Sequence, residues 1–224
     1  MVIASKKKII LSGPETPPAS GREAKQLIVF LHGVGADGND LIGLADSFAE
    51  KFPDAHFISP NGPFSYDMAP FGYQWFSLAE RTKEKMLQGA AMAESIVNDF
   101  LDTQLARFSL TEKNLALIGF SQGTMMALYS ALRRKNPVAG IVGNSGAFLH
   151  DAKLNSEIKS KPPVCLIHGM DDQVVPLLAM IDAKRQLENL GVSVETHERP
   201  ALGHGIDAEG IGIGIKFLLQ HLKK

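Results

Sequence analysis

The sequence is poor in cysteine and carries no surplus of charge. With one cysteine among 224 residues, neither disulfides nor a cysteine-based zinc site is expected. Its setting, Val164-Cys165-Leu166-Ile167, is that of a buried and unreactive thiol. Lys and Arg total 23 against 24 Asp and Glu, a formal net charge of -1. The electrostatic footprint of a nucleic-acid partner, or of an anionic membrane surface, is therefore missing. Long apolar runs are missing too: Gly119, Ser121, Gln122, Gly123 and Thr124 interrupt the charge-free stretch 114–132 where a membrane span would be apolar. The start, Met1 to Lys8, is followed only by Ile9-Ile10-Leu11 before a Gly-Pro break, so the apolar centre of a signal peptide is not there. A cytoplasmic location is expected. The seven histidines show no His-Glu-x-x-His or comparable ligand spacing. No metal and no cofactor is expected, and His56, His150, His197 and His221 read as surface or core residues.

What is present is an ordinary globular composition, 45% apolar and 21% charged, with no repeat, no low-complexity tract and no evident linker. A single domain over 1–224 is expected. Short β-type runs alternate with longer helical patterns, the signature of an α/β fold with a mostly parallel sheet of about seven strands and helices on both faces. Strands are predicted near 8–12, 26–31, 55–59, 114–119, 140–144, 164–168 and 192–198. Helices are predicted near 39–51, 82–107, 122–134, 175–190 and 208–222. In the second of these, Met86, Ala90, Ala93, Val97, Phe100 and Leu101 form one apolar face. The fourth has Pro176 near its start and Gly191 just past its end.

The chemistry concentrates at Gly119-Phe120-Ser121-Gln122-Gly123, which follows the strand Leu115-Ala116-Leu117-Ile118 and precedes an apolar helix. That is the context of a nucleophile elbow, where a serine sits on a sharp turn and small neighbours let strand and helix approach. Serine is a weak nucleophile until a base takes its proton, so this reading requires an acid and then a histidine downstream. Both exist. Asp171 and Asp172 follow the strand that ends in His168-Gly169, and His204 lies between Gly203 and Gly205 after the last strand. Gly33-Val34-Gly35-Ala36-Asp37-Gly38 is formally a dinucleotide-binding G-x-G-x-x-G, but the next strand ends Ile58-Ser59-Pro60-Asn61 without the acid a Rossmann site places there. Gly210-Ile211-Gly212-Ile213-Gly214 reads as close packing of the last helix. Ser145 lacks the glycine frame of an elbow and reads as a supporting polar residue.

Taken together, these blocks resemble the carboxylesterase/phospholipase family of α/β-hydrolases, which includes the acyl-protein thioesterases. Leu31-His32-Gly33-Val34-Gly35-Ala36-Asp37-Gly38, the elbow, His168-Gly169 with Asp172 and Val175-Pro176, and Gly203-His204 match in order across nearly the whole chain. The resemblance implies an α/β-hydrolase fold, with Ser121 as nucleophile, His204 as base and then acid, and Asp172 rather than Asp171 as the orienting carboxylate. It implies an oxyanion hole from the backbone N–H groups of Val34 and Gln122, with His32 bracing the loop. It implies hydrolysis of carboxylic esters or thioesters through an acyl-enzyme, on a small acyl ester or lipid-like substrate. Lysophospholipase or long-chain acyl-protein thioesterase activity is the alternative, and a hydrolase-fold binding protein without activity a remoter one. Two blocks depart from the family: Gly123-Thr124 stands where Gly-Gly is common, and Trp75-Phe76-Ser77 where Trp-Phe-Asp is common. Both bear on the shape of the acyl pocket. The cluster Phe64, Tyr66, Phe71, Tyr73, Trp75 and Phe76 in a Pro- and Gly-punctuated stretch has two readings. It fills a satellite core, or Trp75, Phe76, Phe71 and Tyr73 form an apolar wall for the acyl chain. A monomer or a weak homodimer is expected.

Overall fold

Strand residues alternate between two apolar layers, and this alternation organises the computed structural model, which describes residues 9–151 and 153–223. The chain runs through β1 (Glu15–Thr16), β2 (Gln26–Leu31), α1 (Asn39–Ile42), α2 (Ala45–Ala49), β3 (Ala55–Ile58), β4 (Phe64–Ser65) and β5 (Tyr73–Gln74). It continues through α3 (Lys83–Arg107), β6 (Leu115–Phe120), α4 (Gln122–Ala131), β7 (Gly140–Asn144), α5 (Leu154–Glu157), β8 (Val164–Gly169), α6 (Leu178–Asn189), β9 (Val194–Arg199) and α7 (Ala208–His221). Seven strands form one sheet in the order β1-β3-β2-β6-β7-β8-β9, and β4 and β5 form a separate hairpin. Only β1 is antiparallel within the large sheet.

Leu27, Val29 and Leu31 of β2 join Leu115 and Leu117 of β6 in a layer covered by α3, α4 and α6. Ile28 and Phe30 join Ala116 and Ile118 in the opposite layer, covered by α1, α2 and α7. Both faces are thus buried, which is why the central strands read as continuous apolar runs. The second layer is aromatic at its centre, with Phe30 stacked on Phe57 at 6.1 Å and edge-on to Phe48 at 6.1 Å. Caps fix two helix starts: the Thr82 hydroxyl accepts from Lys85 N–H, and the Asp207 carboxylate from Gly210 N–H at 2.7 Å.

Four local expectations are corrected. The first strand was expected over 8–12, whose first residue lies outside the described residues together with Met1–Lys7. From Ile9 to Pro14 the chain forms no strand. It is held at single points instead, by Asn61 N–H on Ser12 O and Ser59 N–H on Pro14 O, each at 3.0 Å, and the short edge strand follows at Glu15. The helix expected over 39–51 is broken at Gly43-Leu44 into α1 and α2. The aromatic stretch contains the β4–β5 hairpin, and the short α5 was not anticipated. Among the described residues, no helix is long and apolar enough to cross a membrane.

The parallel order puts the carboxyl ends of β2, β6, β8 and β9 along one edge. The loops that follow these strands carry Val34, Ser121, Asp172 and His204. The crevice outside the carboxyl ends of such a sheet is where ligands bind in open α/β folds.

Candidate active site

Ser121 is the point where β6 turns into α4, with φ 53° and ψ −116°. A side-chain-bearing residue enters that region only when its surroundings enforce it. Its N–H donates to Asn144 O at 2.9 Å, and its carbonyl accepts from Thr124 N–H at 3.1 Å. The Thr124 hydroxyl donates to the same Asn144 carbonyl at 2.9 Å, while Asn144 Nδ2 donates to Gly119 O at 3.2 Å. The glycine frame is a matter of space. A Cβ on Gly123 would stand 1.8 Å from Leu31 O, and one on Gly119 would stand 2.5 Å from Thr124 Cα. Thr124, one of the two departures from the family pattern, is buried beneath the elbow, where Gly143 and Gly146 leave room for it.

Asp172 and His204 meet across two loops. His204 Nδ1 lies 2.8 Å from Asp172 Oδ2, so an Nδ1–H donates to the carboxylate. The other oxygen, Oδ1, accepts from Val174 N–H and Val175 N–H, each at 2.9 Å. Burial opposes ionisation of Asp172, but the hydrogen bonds from His204, Val175 and Val174 outweigh it and hold the carboxyl below the usual carboxylate range. Asp171 is exposed, and its backbone N–H instead ties the acid loop to Leu202 O at 2.9 Å. Gly169 permits this approach, since a Cβ there would be 2.3 Å from Gly203 O. His204 packs against Phe120 with ring centroids 4.8 Å apart, which sets it beside the residue preceding Ser121. Ser145 N–H donates to Ile167 O at 2.9 Å between the ends of β7 and β8.

The loop after β2 borders the elbow: a Cβ on Gly33 would lie 3.5 Å from Ser121 Cβ. Buried His32 anchors it, with Nδ1–H donating to Gly33 O at 2.7 Å and Nε2 accepting from Gly62 N–H at 2.9 Å. Burial lowers its basicity, so the ring is the neutral tautomer those partners require. The β4–β5 hairpin clamps the outer side, through Gly35 N–H to Tyr73 O and Tyr73 N–H to Ala36 O, both at 2.8 Å. Gly35 has φ +82°, and a Cβ there would come within 3.2 Å of the Tyr66 ring. Gln122 opens α4, so its backbone N–H has no partner within the helix. Its side chain accepts from Trp75 N–H at 2.9 Å and donates to Phe76 O at 2.8 Å.

Burial divides the four aromatic residues expected at an acyl wall. Trp75 and Phe76 are 0% and 1% exposed and belong to the main core, with the Trp75 indole N–H on His32 O at 2.8 Å. Tyr73 is half-buried, and Phe71 stands 74% exposed at the hairpin tip. No local pattern pointed to the Asn144–Thr124 brace, to the Gln122 side-chain contacts or to a role for His168, whose buried ring donates from Nε2 to Val175 O at 2.7 Å and shapes the Asp172 loop. Among the described residues one group of metal-ligating side chains converges, Cys165, Glu195 and His197, and it lies on β8 and β9 rather than at Ser121.

With this geometry in place, the chain belongs to the Phospholipase/Carboxylesterase family, whose sequence profile it matches over residues 18–222. It is 29% identical over 219 residues to Esterase YpfH of Escherichia coli (strain K12), covering 96% of this chain and 86% of that one. It is 27% identical over 202 residues to acyl-protein thioesterase 1 of Schizosaccharomyces pombe, covering 85% and 88%. The crystal structure of esterase PE8 superimposes with a TM-score of 0.90 at 41% identity, covering 96% of this chain and 100% of that one. The fold is the α/β-hydrolase fold, and the protein is a hydrolase whose reaction class is ester hydrolysis.

Proposed function

We propose that the chain hydrolyses carboxylic esters by way of an acyl-enzyme, with Ser121, His204 and Asp172 as its catalytic triad. His204, with its Nδ1–H held on Asp172, presents a neutral Nε2 that takes the Ser121 proton as Oγ attacks the ester carbonyl. The tetrahedral oxyanion is held by the backbone N–H groups of Val34 and Gln122, the second at the positive end of α4. His204 then returns the proton to the leaving alkoxide. Water, deprotonated by the same imidazole, attacks the acyl-enzyme, and the acid is released as Ser121 recovers its proton. The Asp172–His204 contact at 2.8 Å carries this reading, because it fixes the tautomer a base requires. The substrate is an acyl ester whose chain lies toward Phe71 and Tyr73, and the protein acts in the cytoplasm.

Esters that share one acyl group but differ in leaving group test the acyl-enzyme. With methanol added as a competing acceptor, a common intermediate partitions between methyl ester and free acid in one ratio for all of them. A ratio that tracks the leaving group overturns the acyl-enzyme.

A further inference from the structure

Parallel pairing of β8 with β9 sets Cys165 opposite Glu195 and Ile167 opposite His197. Side chains in register share a face, so the thiol, the carboxylate and the imidazole converge although about thirty residues separate them in the chain. One ligand atom from each lies within 4.8 Å of the other two. A point at the centre of such a triangle is at most about 2.8 Å from every corner, so rotations moving each atom by under about 1 Å reach the 2.0–2.3 Å of zinc–nitrogen, zinc–oxygen and zinc–sulfur bonds. Cys165 is fully buried, whereas the Glu195 and His197 side chains are 46% and 37% exposed on the last strand of the sheet. A cation there is reached from solvent, and water has access to the fourth position.

The setting lacks another use. Burial, reinforced by the neighbouring Glu195 carboxylate, pushes the Cys165 thiol far up from its ordinary range, so it is no nucleophile. Among the described residues Glu195 pairs with no lysine or arginine: its carboxylate accepts from the Cys165 thiol and lies 3.3 Å from His197 Nε2. A carboxylate aimed at a thiol, with an imidazole beside both, offers three donors to a positive charge that the protein itself does not provide.

We propose that Cys165, Glu195 and His197 form a zinc site that staples β8 to β9, separate from the esterase centre. Binding replaces the thiol proton, which passes to solvent, by a sulfur–zinc bond, with the carboxylate, the imidazole and one water completing a tetrahedron. Mixed thiolate, imidazole and carboxylate donors suit Zn2+ and its spectroscopic substitute Co2+ over Mg2+ or Ca2+. The staple lies upstream of the two loops that carry Asp172 and His204, so its effect is on the stability of those strands and not on a reacting atom.

The single cysteine makes the test unambiguous, since a thiolate-to-cobalt charge-transfer band in this chain has only one source. Full-length protein stripped with chelator and titrated with Co2+ is expected to give that near-ultraviolet band with the visible bands of a tetrahedral ion, saturating at one equivalent. Zn2+ is expected to displace the cobalt and raise Tm. Cys165→Ala removes the charge-transfer band. His197→Gln and Glu195→Gln change exposed side chains, leave the fold intact and weaken cobalt binding by at least about tenfold. Absence of the charge-transfer band in the wild type, or full-affinity binding in His197→Gln, overturns the site.

Discussion

The side chain of Gln122 is fastened to the backbone at Trp75, accepting its N–H at 2.9 Å and donating to the next carbonyl, Phe76 O, at 2.8 Å. The residue whose own backbone N–H is proposed to hold the oxyanion is thereby locked to the segment that follows β5. That hairpin in turn grips the Val34 loop. Both proposed oxyanion donors are thus positioned through one hydrogen-bonded frame, and electrostatic stabilisation depends on donors that need not reorganise.

Gln122→Met keeps the side-chain volume and the backbone N–H but strips both hydrogen bonds. It leaves Trp75 N–H and Phe76 O unpaired in the core, at about 1–3 kcal/mol each. A lowered Tm and a kcat reduced about tenfold or more are expected, measured by thermal unfolding and ester turnover. Wild-type values for both would show that the frame is idle.

Gly123→Ala is expected to yield no active, folded enzyme, because its Cβ would sit 1.8 Å from the Leu31 carbonyl. Gly212→Ala, on α7 with nothing within 4 Å, is expected to raise stability by up to about 1 kcal/mol through helix propensity. Denaturant unfolding of the two variants checks both signs. An active Gly123→Ala enzyme would mean that the elbow is looser than this geometry.

Trp75→Ala is expected to cost about 3–5 kcal/mol of stability and to lower activity on all esters alike, since the indole is core. Phe71→Ala is expected to leave Tm unchanged and to reduce kcat/KM about three- to tenfold on longer 4-nitrophenyl esters but little on acetate. The reverse pattern would return the acyl wall to Trp75.

Much of this was legible in the sequence because it is local. Alternation and period gave six of the sheet strands near their places, and Gly119-Phe120-Ser121-Gln122-Gly123 announces its turn through sterics that act within five residues. What the sequence hid depends on partners far along the chain. The brace of Ser121 by Asn144 needs β6 beside β7, and burial of Trp75 needs His32 above it. The Cys165, Glu195 and His197 group exists only because β8 and β9 pair in one register; read singly, each is a bland residue. The aromatic stretch kept two readings for the same reason, since apolarity alone does not say which rings face the core. The split of α1 from α2 turns on Gly43-Leu44, a weak break inside an otherwise helical pattern.

The acid limb of the pH profile is expected to follow one proton. Asp172 stays ionised down to below the ordinary carboxylate range, so log kcat/KM is expected to fall with unit slope, as for loss of one base, before the orienting carboxylate is protonated. The sign for stability follows from the same shift. The contribution of ionised Asp172 is present above the ordinary carboxylate range and is lost as pH falls through its lowered value. Asp172→Asn is expected to cut kcat about 10⁴-fold by favouring the wrong tautomer, while Asp171→Asn stays within a few-fold. A severe Asp171→Asn effect and a mild Asp172→Asn effect would reassign the acid.

The proposed mechanism needs Ser121 as the nucleophile, and a fluorophosphonate reads that directly. Wild-type protein treated with the reagent, digested and mapped by mass spectrometry is expected to carry one phosphonyl group, on the peptide holding Ser121, with activity lost in proportion. Ser121→Ala is expected to keep its fold, take no label and retain no turnover. A label on another residue, or an unlabelled Ser121 in enzyme that the reagent has inactivated, would place the nucleophile elsewhere.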